Sequence, residues 1–441
     1  MERLAAAAVL LTAFIAYNAN GREIGSYDSQ PLKFTAIEFV RHHDLVLDSA
    51  VAQAPGLASR PGFARDLRGH FRSAYPPLPG IVAGLLGTAL HAVGLFDPDA
   101  PLAAPFLAKL TASLLVAGAV ACAYGIARRY GSRAVAVGVA LGFGLGTNLW
   151  AQASQTLWQT DATTLALTAS VLLLDVAPDR VTAARRWGAS ALIGAAVATR
   201  PQLALSAAVV AALIAARRRR LSDALALAPL AAILAATLWL NIHWFGTIAG
   251  ARLRIEAAAT AAHQVAGSLG NPLVGAVGLL VSPSRGLIVF SPIVLVCAAA
   301  SGRRDQRSPL GWWTVAAAIQ FAVYSSYSAW WGGHTYGPRL VLDVLPFLVP
   351  AAALGASRIV RRPAGAAVSA AALAWSAALA ATGAFVYPNE QWNTDPADVD
   401  THHERLWDWG DPQFIRCWTI GPDSRNFDLF TRDAVRAGSG R

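Results

Sequence analysis

The chain has little charge, almost no lysine and few cysteines. Asp, Glu, Lys and Arg make up only 14% of its 441 residues, whereas a soluble globular domain carries about 25%. This shortage argues against an ordinary soluble domain. The three cysteines, Cys122, Cys297 and Cys417, have no metal-ligand spacing and do not form a disulfide framework. No Walker sequence, dinucleotide fingerprint or serine-hydrolase elbow occurs, so an energy-rich substrate must arrive from the membrane.

Hydrophobic segments, by contrast, recur along the whole chain, and 55% of the residues are hydrophobic. We therefore predict an all-α polytopic membrane protein. The first segment also has the length of a signal peptide. We interpret it as an uncleaved span, because every later segment is membrane-embedded as well and Asp28 follows it closely. About eleven transmembrane helices are predicted, at residues 4–19, 105–127, 134–150, 162–176, 188–199, 202–216, 223–243, 287–300, 310–325, 340–356 and 364–386.

The basic residues predict the orientation of these spans. The formal net charge of +10 could indicate nucleic-acid binding, but sixteen of the 36 basic residues lie in five short clusters between hydrophobic segments. Loops of this kind face the cytoplasm and attract anionic membrane lipid. We therefore expect no nucleic-acid partner, an amino terminus inside and a carboxyl terminus outside. The clusters are Arg128, Arg129 and Arg133; Arg180, Arg185 and Arg186; Arg217 to Arg220; Arg303, Arg304 and Arg307; and Arg358, Arg361 and Arg362.

This orientation places three sizeable regions outside. Residues 78–96 are hydrophobic enough to span, but a crossing there would turn every later arginine loop outward. We therefore expect a helix that lies at the outer interface or re-enters the membrane. Residues 32–47 have an amphipathic pattern. A single membrane domain is expected at residues 1–387, followed by a small polar tail outside. The outer regions are residues 20–104, 244–286 and 388–441.

Two isolated acids are the leading candidates for chemistry. Asp28 lies just outside the end of the first span, beside Tyr27, where a carboxylate can act as a general base. Its alternative role is the N-cap of a helix that begins near Pro31. Asp161 precedes a later span on the same outer face, where an ionisable residue is a functional candidate, although capping is again the alternative. Two carboxylates converging on this face suggest chemistry at the outer membrane surface.

The most specific outer segment is Trp330–Arg339, whose paired glycines and proline favour a fixed turn. Tyr336 and Arg339 offer a hydroxyl and a planar cation suited to phosphate, and His334 lies between the glycines and the tyrosine. The alternative is an aromatic belt with a snorkelling arginine. A similar outer turn, Ser282–Gly286, precedes the predicted span at 287–300 and carries Arg285, a second cation for a phosphate.

Further cations and rings are weaker candidates. Arg200 lies at the outer junction of two short helices, where its charge needs either a lipid phosphate or a structural counter-ion. Lys33, His70 and Tyr75 lie in the first outer region. The pair His402-His403 in the tail could bind a metal but is more typical of solvated residues. No metal ligand set is predicted.

In this order, these residues resemble the GT-C superfamily of membrane glycosyltransferases, which includes lipid A aminoarabinose transferases and family 39-type members. The family's acid in the first outer loop is matched by Asp28, and its acid in the second by Asp161. The turns Ser282–Gly286 and Tyr336–Arg339 are similar to turns in bacterial members, and Tyr75-Pro76-Pro77 looks like the juxtamembrane region. The second loop lacks the acid-x-acid pair of oligosaccharyltransferases, which implies at most a weakly held divalent cation.

The resemblance covers roughly residues 1–350 and implies a GT-C-like bundle on which a polyprenyl-phosphate-linked sugar reacts. The site would face the exterior of a bacterial inner membrane. Asp28 would deprotonate an acceptor hydroxyl whose direct attack inverts the anomeric carbon, and Asp161 would orient the acceptor, the sugar or a cation. The implied phosphate-binding residues are Arg339, Arg285, Arg200 and Lys33, and the implied sugar- or acceptor-binding residues are Tyr27, Tyr336, His334, Tyr75 and His70.

The sequence leaves the substrates and one competing function open. The acceptor is a glycan, a lipid such as lipid A, or a protein such as a pilin, and the sugar is a pentose or a hexose. The alternative function is a transporter or flippase of a lipid-linked sugar. Transporters place their binding residues near the membrane midplane and often contain inverted repeats, whereas these candidates crowd one face and no repeat is evident. A non-catalytic scaffold is a third interpretation.

Overall fold

The computed structural model describes residues 1–176, 180–216, 225–251, 269–301, 309–431 and 434–436. Two of the five arginine clusters, Arg217 to Arg220 and Arg303, Arg304 and Arg307, lie outside these residues. The described chain is helical with one short hairpin. Its α-helices are α1 (Glu2–Asn18), α2 (Gln30–His42), α3 (Asp48–Gln53), α4 (Leu78–Ala92), α5 (Ala103–Ala127), α6 (Arg133–Leu145), α7 (Gln159–Leu174), α8 (Ala183–Thr199), α9 (Ala204–Ala216), α10 (Ala228–Phe245), α11 (Pro272–Val281), α12 (Leu287–Phe290), α13 (Pro292–Ala299), α14 (Leu310–Ser325), α15 (Leu345–Ile359), α16 (Pro363–Phe385) and α17 (Gln413–Ile420).

Shorter elements connect these helices. Strands β1 (Phe63–Arg65) and β2 (Phe71–Ser73) pair antiparallel, with Ala64 opposite Arg72. A single π-helical turn covers Leu149–Ala153. The 3-10 helices are Pro55–Ser59, Pro201–Leu203, Leu225–Leu227, Leu340–Asp343, His403–Trp407 and Asp428–Phe430.

Each of the eleven predicted spans contains a helix. Three helices in the described ranges have the length and apolar composition to cross a membrane: Ala103–Ala127, Leu225–Phe245 and Pro363–Phe385. Shorter apolar helices of 10–17 residues accompany them, and helices shorter than the bilayer are tolerated where they face protein. The chain is a helical membrane protein, and eleven crossings stay a prediction.

One end of the bundle is basic. The carboxylate of Glu2, at the start of α1, pairs with Arg128 and Arg133 at 2.9 Å each. Arg129, just past the end of α5, donates a hydrogen bond of 2.6 Å to the carbonyl of Asp175, just past the end of α7. The start of α1, the end of α5, the start of α6 and the end of α7 therefore meet at one face, the basic end. We call the face at the other ends of these four helices the polar end.

The first outer region packs as two close helices. Helix α2 buries Leu32 and Ile37 on one face, in agreement with the amphipathic pattern. Helix α4 turns Gly84 toward α2, where an added Cβ would lie 2.7 Å from Phe39. Small residues allow such close helix contact. Because the 15 residues of α4 extend only about 22 Å, they are shorter than a hydrocarbon core of ~30 Å, which favours the interfacial or re-entrant helix that we predicted.

Helix α11 lies within residues 244–286, where the sequence predicted only an outer loop. Asn271 caps it by accepting hydrogen bonds from the amides of Leu273 and Val274. Gly275 lies against the carbonyl of Ser325 at the end of α14, where an added Cβ would approach that oxygen to 2.0 Å. Helix α11 has only ten residues, too few for a transmembrane span. Hydrophobic periodicity alone therefore did not predict this helix.

The tail packs into the polar end. Trp392 is fully buried, and the ring of Phe414 meets Phe290 edge to face at 6.1 Å. Arg22, just after α1, pairs with Asp423 at 3.2 Å. The described tail therefore shares a hydrophobic core with the membrane helices.

Candidate active site

Asp28 lies in the loop after α1 and is exposed. Its carboxylate accepts a hydrogen bond of 2.8 Å from the hydroxyl of Tyr75. Helix α2 begins at Gln30, and its N-cap is Ser29, so the alternative in which Asp28 caps this helix is wrong. Among the described residues, no cation forms an ion pair with Asp28.

Arg339 is the second charge near Tyr75. Burial raises the pKa of the Tyr75 hydroxyl, the charge of Asp28 raises it further, and the positive charge of Arg339 acts in the opposite direction. The Arg339 guanidinium lies over the ring of Trp158, 5.2 Å from its centroid. In the described part of the chain, no hydrogen bond or ion pair engages this half-buried guanidinium. An unpaired carboxylate and an unpaired guanidinium therefore lie near one tyrosine.

The loop before Arg339 is held by contacts with Asn148 and Phe290. Asn148 donates a hydrogen bond to the carbonyl of Tyr336. Gly337 has a positive φ of 60°, and an added Cβ there would lie 2.8 Å from the ring of Phe290. Only glycine combines this backbone angle with such close packing. The paired glycines Gly332 and Gly333 also have positive φ angles, of 80° and 73°, so glycine is favoured at three positions of this loop.

Asp161 is fully buried in the first turn of α7. Its Oδ1 accepts a 2.5 Å hydrogen bond from the amide of Ala162, and its Oδ2 has no hydrogen-bond partner within the described ranges. The N-cap of α7 is Trp158, so Asp161 is not the cap. No hydrogen bond joins Asp161 to Asp28 in the described chain, and the two differ in depth. A buried carboxylate oxygen without a partner is rare in folded proteins.

Arg200 is held by a partner that the sequence analysis missed. Its guanidinium pairs with Asp343 at 2.8 Å and donates to the hydroxyl of Thr160 at 2.8 Å. Asp343 also accepts a hydrogen bond of 2.9 Å from Thr163 and another from the hydroxyl of Tyr324. Both charges are buried, so the structural counter-ion is the alternative that the geometry favours. An acid within an apolar run was the sequence signal for Asp343.

The guanidinium of Arg285 is also engaged by hydrogen bonds within the protein. A guanidinium has five N–H donors, and five acceptors surround this fully buried one. No carboxylate is among them in the described chain, so the charge is not neutralised although every donor is used. The acceptors are the carbonyls of Trp331, Ser284 and Gly333 and the side chains of Gln413 and Asn393. Arg285 thereby fixes the tail against the bundle.

Lys33 belongs to a chain of polar contacts across the polar end. Its ammonium pairs with Glu23 at 2.7 Å, and Glu23 also accepts a 2.5 Å hydrogen bond from the hydroxyl of Thr156. The neighbouring Gln155 accepts from Lys109 at 2.5 Å. The charge of Lys33 is therefore neutralised by the protein.

The aromatic side chains predicted to bind the sugar or the acceptor do not lie together. Tyr336 is fully buried, and its hydroxyl donates to the carbonyl of Leu379 at 2.8 Å, which leaves no free hydroxyl for a sugar. Tyr27 is exposed and lies under the guanidinium of Arg60, 3.6 Å from the ring centroid. His70 lies on the hairpin, 2.7 Å from Asp48. Only Tyr75 among the predicted rings contacts Asp28.

His334 faces two acids of the tail. Its Nε2 lies 2.9 Å from Asp398 and 3.5 Å from Asp400. One donor atom from each of the three residues lies within 4.8 Å of the others, which is a grouping able to hold a metal ion. No local sequence pattern singles out these two acids, because they are 64 and more residues from His334 along the chain and lie among many other tail acids.

Fold and site together define a helical membrane protein with an unpaired carboxylate and an unpaired guanidinium near Tyr75 at its polar end. No protein-family model and no curated protein matches the chain. Among solved structures it is similar to ArnT from Cupriavidus metallidurans. With ArnT bound to undecaprenyl phosphate, it shares 17% identity and a TM-score of 0.53, over 87% of this chain and 66% of that one. With the apo state of ArnT, the chain shares 16% identity and a TM-score of 0.54, over 90% of this chain and 66% of that one.

This likeness shows the fold. The chain has the overall fold of ArnT. It spans 66% of the length of each ArnT structure, just under two thirds. A fold hosts many functions, so the activity must be argued from the site.

Proposed function

We propose that the chain is an inverting glycosyltransferase. It would move a pentose or hexose from a polyprenyl-phosphate donor to an acceptor hydroxyl at the outer face of a bacterial inner membrane. The observation that carries the proposal is the pair of unpaired charges near Tyr75, Asp28 and Arg339, at the end of the bundle away from the arginine loops. The ArnT-like fold supports it, since that protein was crystallised with undecaprenyl phosphate.

Asp28 is the proposed general base. Its exposed carboxylate takes the proton of the acceptor hydroxyl as the oxygen attacks the anomeric carbon. The new bond forms as the bond from that carbon to the phosphate oxygen breaks, and the polyprenyl phosphate leaves with the electron pair. Direct attack inverts the carbon. The hydrogen bond from Tyr75 orients the carboxylate and leaves its second oxygen for the acceptor.

Arg339 is the proposed binding residue for the donor phosphate. A guanidinium suits a phosphate because its planar donors match two oxygens, and that of Arg339 has no acid partner within the described chain. Its charge would stabilise the phosphate as negative charge develops on leaving. Arg200 and Lys33 are paired with acids, and Arg285 has all its donors engaged, so we assign these three to the framework. Asp161, buried without a full set of partners, is kept as an electrostatic or cation-orienting candidate.

The test is native mass spectrometry of detergent-purified full chain with added undecaprenyl phosphate. Arg339→Ala removes charge-assisted hydrogen bonds worth about 1.5–3 kcal/mol, so we expect roughly 10- to 100-fold weaker binding. Arg68→Ala is the matched control, because Arg68 is exposed at the same end and should bind as wild type does. Unchanged binding by Arg339→Ala would contradict the phosphate assignment.

Asp28→Asn tests the base. The variant should bind undecaprenyl phosphate as tightly as wild type but co-purify with the sugar-loaded lipid, because transfer falls by roughly 10²–10⁴ without the base. The mass of the trapped lipid distinguishes a pentose from a hexose. Asp44→Asn changes another exposed acid of the same region and should trap nothing. An Asp28→Asn protein that transfers sugar at the wild-type rate, or that traps none, would overturn the mechanism.

A further inference from the structure

A mixed set of metal-binding groups joins the tail to the loop that carries Arg339. The loop contributes the imidazole of His334, and the tail contributes the carboxylates of Asp398 and Asp400. All three side chains are partly exposed, at 40%, 44% and 25% of their surface, so a cation can reach them from solvent. None of the three has a role in the proposed transfer step.

The spacing of the donor atoms fits one ion. Nitrogen and oxygen ligands lie about 2.0–2.2 Å from Zn²⁺, which puts neighbouring ligand atoms roughly 3.0–3.5 Å apart at tetrahedral or octahedral angles. The imidazole Nε2 of His334 lies 2.9 Å from Asp398 and 3.5 Å from Asp400. All three donor atoms lie within 4.8 Å of one another, so small side-chain movements would let them close on one cation.

Neighbouring groups orient both carboxylates. The indole N–H of the buried Trp331 donates to Oδ1 of Asp400 at 2.7 Å and leaves Oδ2 directed at His334. The amide of Asp400 donates to Oδ1 of Asp398 at 2.8 Å. Hydrogen bonds of this kind fix ligands in known metal sites. Loop and tail thus present the donors in one orientation.

The charge of the cluster also favours a dication. Two carboxylates face one imidazole, which leaves a net negative charge in either protonation state of His334. Along the described ranges, no lysine or arginine forms an ion pair with Asp398 or Asp400. Burial alone would raise the pKa of Asp398, but the hydrogen bond from His334 and the amide of Asp400 outweigh it and lower this pKa. The contacts and charge of the cluster therefore suit a dication.

We propose that His334, Asp398 and Asp400 bind one divalent cation of the zinc class, with water completing its coordination. One imidazole with two carboxylates is a borderline donor set that suits Zn²⁺ better than Mg²⁺ or Ca²⁺, which take oxygen ligands. The ion clamps the tail to the loop, and five residues further along that loop is Arg339. The site stands independently of the proposed transfer reaction.

The experiment is calorimetric titration of ZnCl₂ into detergent-purified, chelator-treated full chain without a histidine tag. Wild type should bind one equivalent, and unfold at a higher temperature with zinc than without it. His334→Ala and Asp398→Asn should each weaken zinc binding at least tenfold while unfolding, without metal, within a few degrees of wild type. Two controls should bind as wild type: His70→Ala, which removes another exposed His–Asp pair, and His403→Ala, which removes a neighbouring tail histidine.

Further outcomes decide the class of ion and the ligand set. Affinity should fall as the solution is acidified, because protons compete with the metal for its ligand atoms. Tighter binding of Mg²⁺ or Ca²⁺ than of Zn²⁺, or equal zinc binding by His334→Ala and wild type, would overturn the proposal. Loss of zinc binding in His403→Ala but not in Asp398→Asn would also overturn it, because the ligands would then be others.

Discussion

The buried ion pair between Arg200 and Asp343 allows a prediction with a magnitude. The two charges lie 2.8 Å apart, and the Asp343 side chain is 0% exposed. Replacing Asp343 by Asn removes the negative charge and leaves the guanidinium buried beside Thr160 and Tyr324. Breaking a buried pair from one side costs about 3–5 kcal/mol, because the remaining charge is uncompensated. We expect the folding equilibrium to shift by roughly a hundredfold to several thousandfold.

The same reasoning makes the double variant milder than the single ones. Arg200→Met with Asp343→Leu removes both charges and retains apolar volume, and such replacements are often neutral or stabilising. We therefore expect it to unfold closer to wild type than either Arg200→Met or Asp343→Asn. The matched control is Arg133→Met, since Arg133 pairs with Glu2 at a similar 2.9 Å but with both side chains about half exposed. An exposed pair contributes only about 0–1 kcal/mol.

The assay is unfolding by sodium dodecyl sulfate in mixed micelles, followed by tryptophan fluorescence, for wild type and these four variants. Undecaprenyl-phosphate binding is measured in parallel on variants that remain folded. The burial argument is refuted if Arg200→Met is as mild as Arg133→Met. It is also refuted if the double variant loses as much stability as Arg200→Met and Asp343→Asn lose together. If Arg200→Met stays folded but loses the lipid, Arg200 binds the donor phosphate and the assignment to the framework is wrong.

Three further predictions address packing, pH and the tail. Gly84→Val should lower the free energy of unfolding by about 1–3 kcal/mol, because an added Cβ would lie 2.7 Å from Phe39. The control Gly138→Ala adds a methyl group where the space is open and should leave the free energy of unfolding unchanged. Thermal unfolding measures both variants. Burial alone would raise the pKa of Asp66, but hydrogen bonds from Arg72 and two amides lower it. The ionised carboxylate therefore stabilises the fold above about pH 4, and this stabilisation is lost as the pH falls further. Unfolding measured at pH 5 and at pH 3 should show a smaller loss of stability for Asp66→Asn than for wild type. Arg22→Met should make the tail more sensitive to limited proteolysis, because Arg22 contacts Asp423 and Asn426 of the tail. Arg425→Gln changes an exposed partner of the same acid and should have a smaller effect.

The helices could be predicted from the sequence because their signal is local. Apolar composition and the arginine loops depend on neighbours along the chain, and each predicted span contains a helix. Helix α11 was missed because ten apolar residues within a polar region resemble a loop with a hydrophobic patch. Its fit against α14 depends on Gly275, whose role appears only when the carbonyl of Ser325 lies against it.

The candidate site could be predicted only in part, because pairing between distant residues leaves no local pattern. Asp28 was found from its position after the first span, but its bond to Tyr75 joins residues 47 apart. Arg200 looked available because Asp343 lies far away in sequence. His334 likewise gave no sign of its tail partners. Sequence reasoning identifies which residues carry charge, and the fold decides which charges remain unpaired.

The difference between paired and unpaired charges explains why only a few of the predicted site residues remain candidates for binding a ligand. Charge inside or beside a membrane is costly, so a cation there persists only with a partner or a function. Arg200 and Lys33 have acids as partners, and Arg285 has five neutral acceptors, so each is explained without a ligand. Arg339 lies over the Trp158 ring and has no acid partner in the described chain, so we propose that an arriving ligand compensates its charge. An anion is the ligand that compensates a guanidinium, and a lipid phosphate is the anion that a membrane supplies.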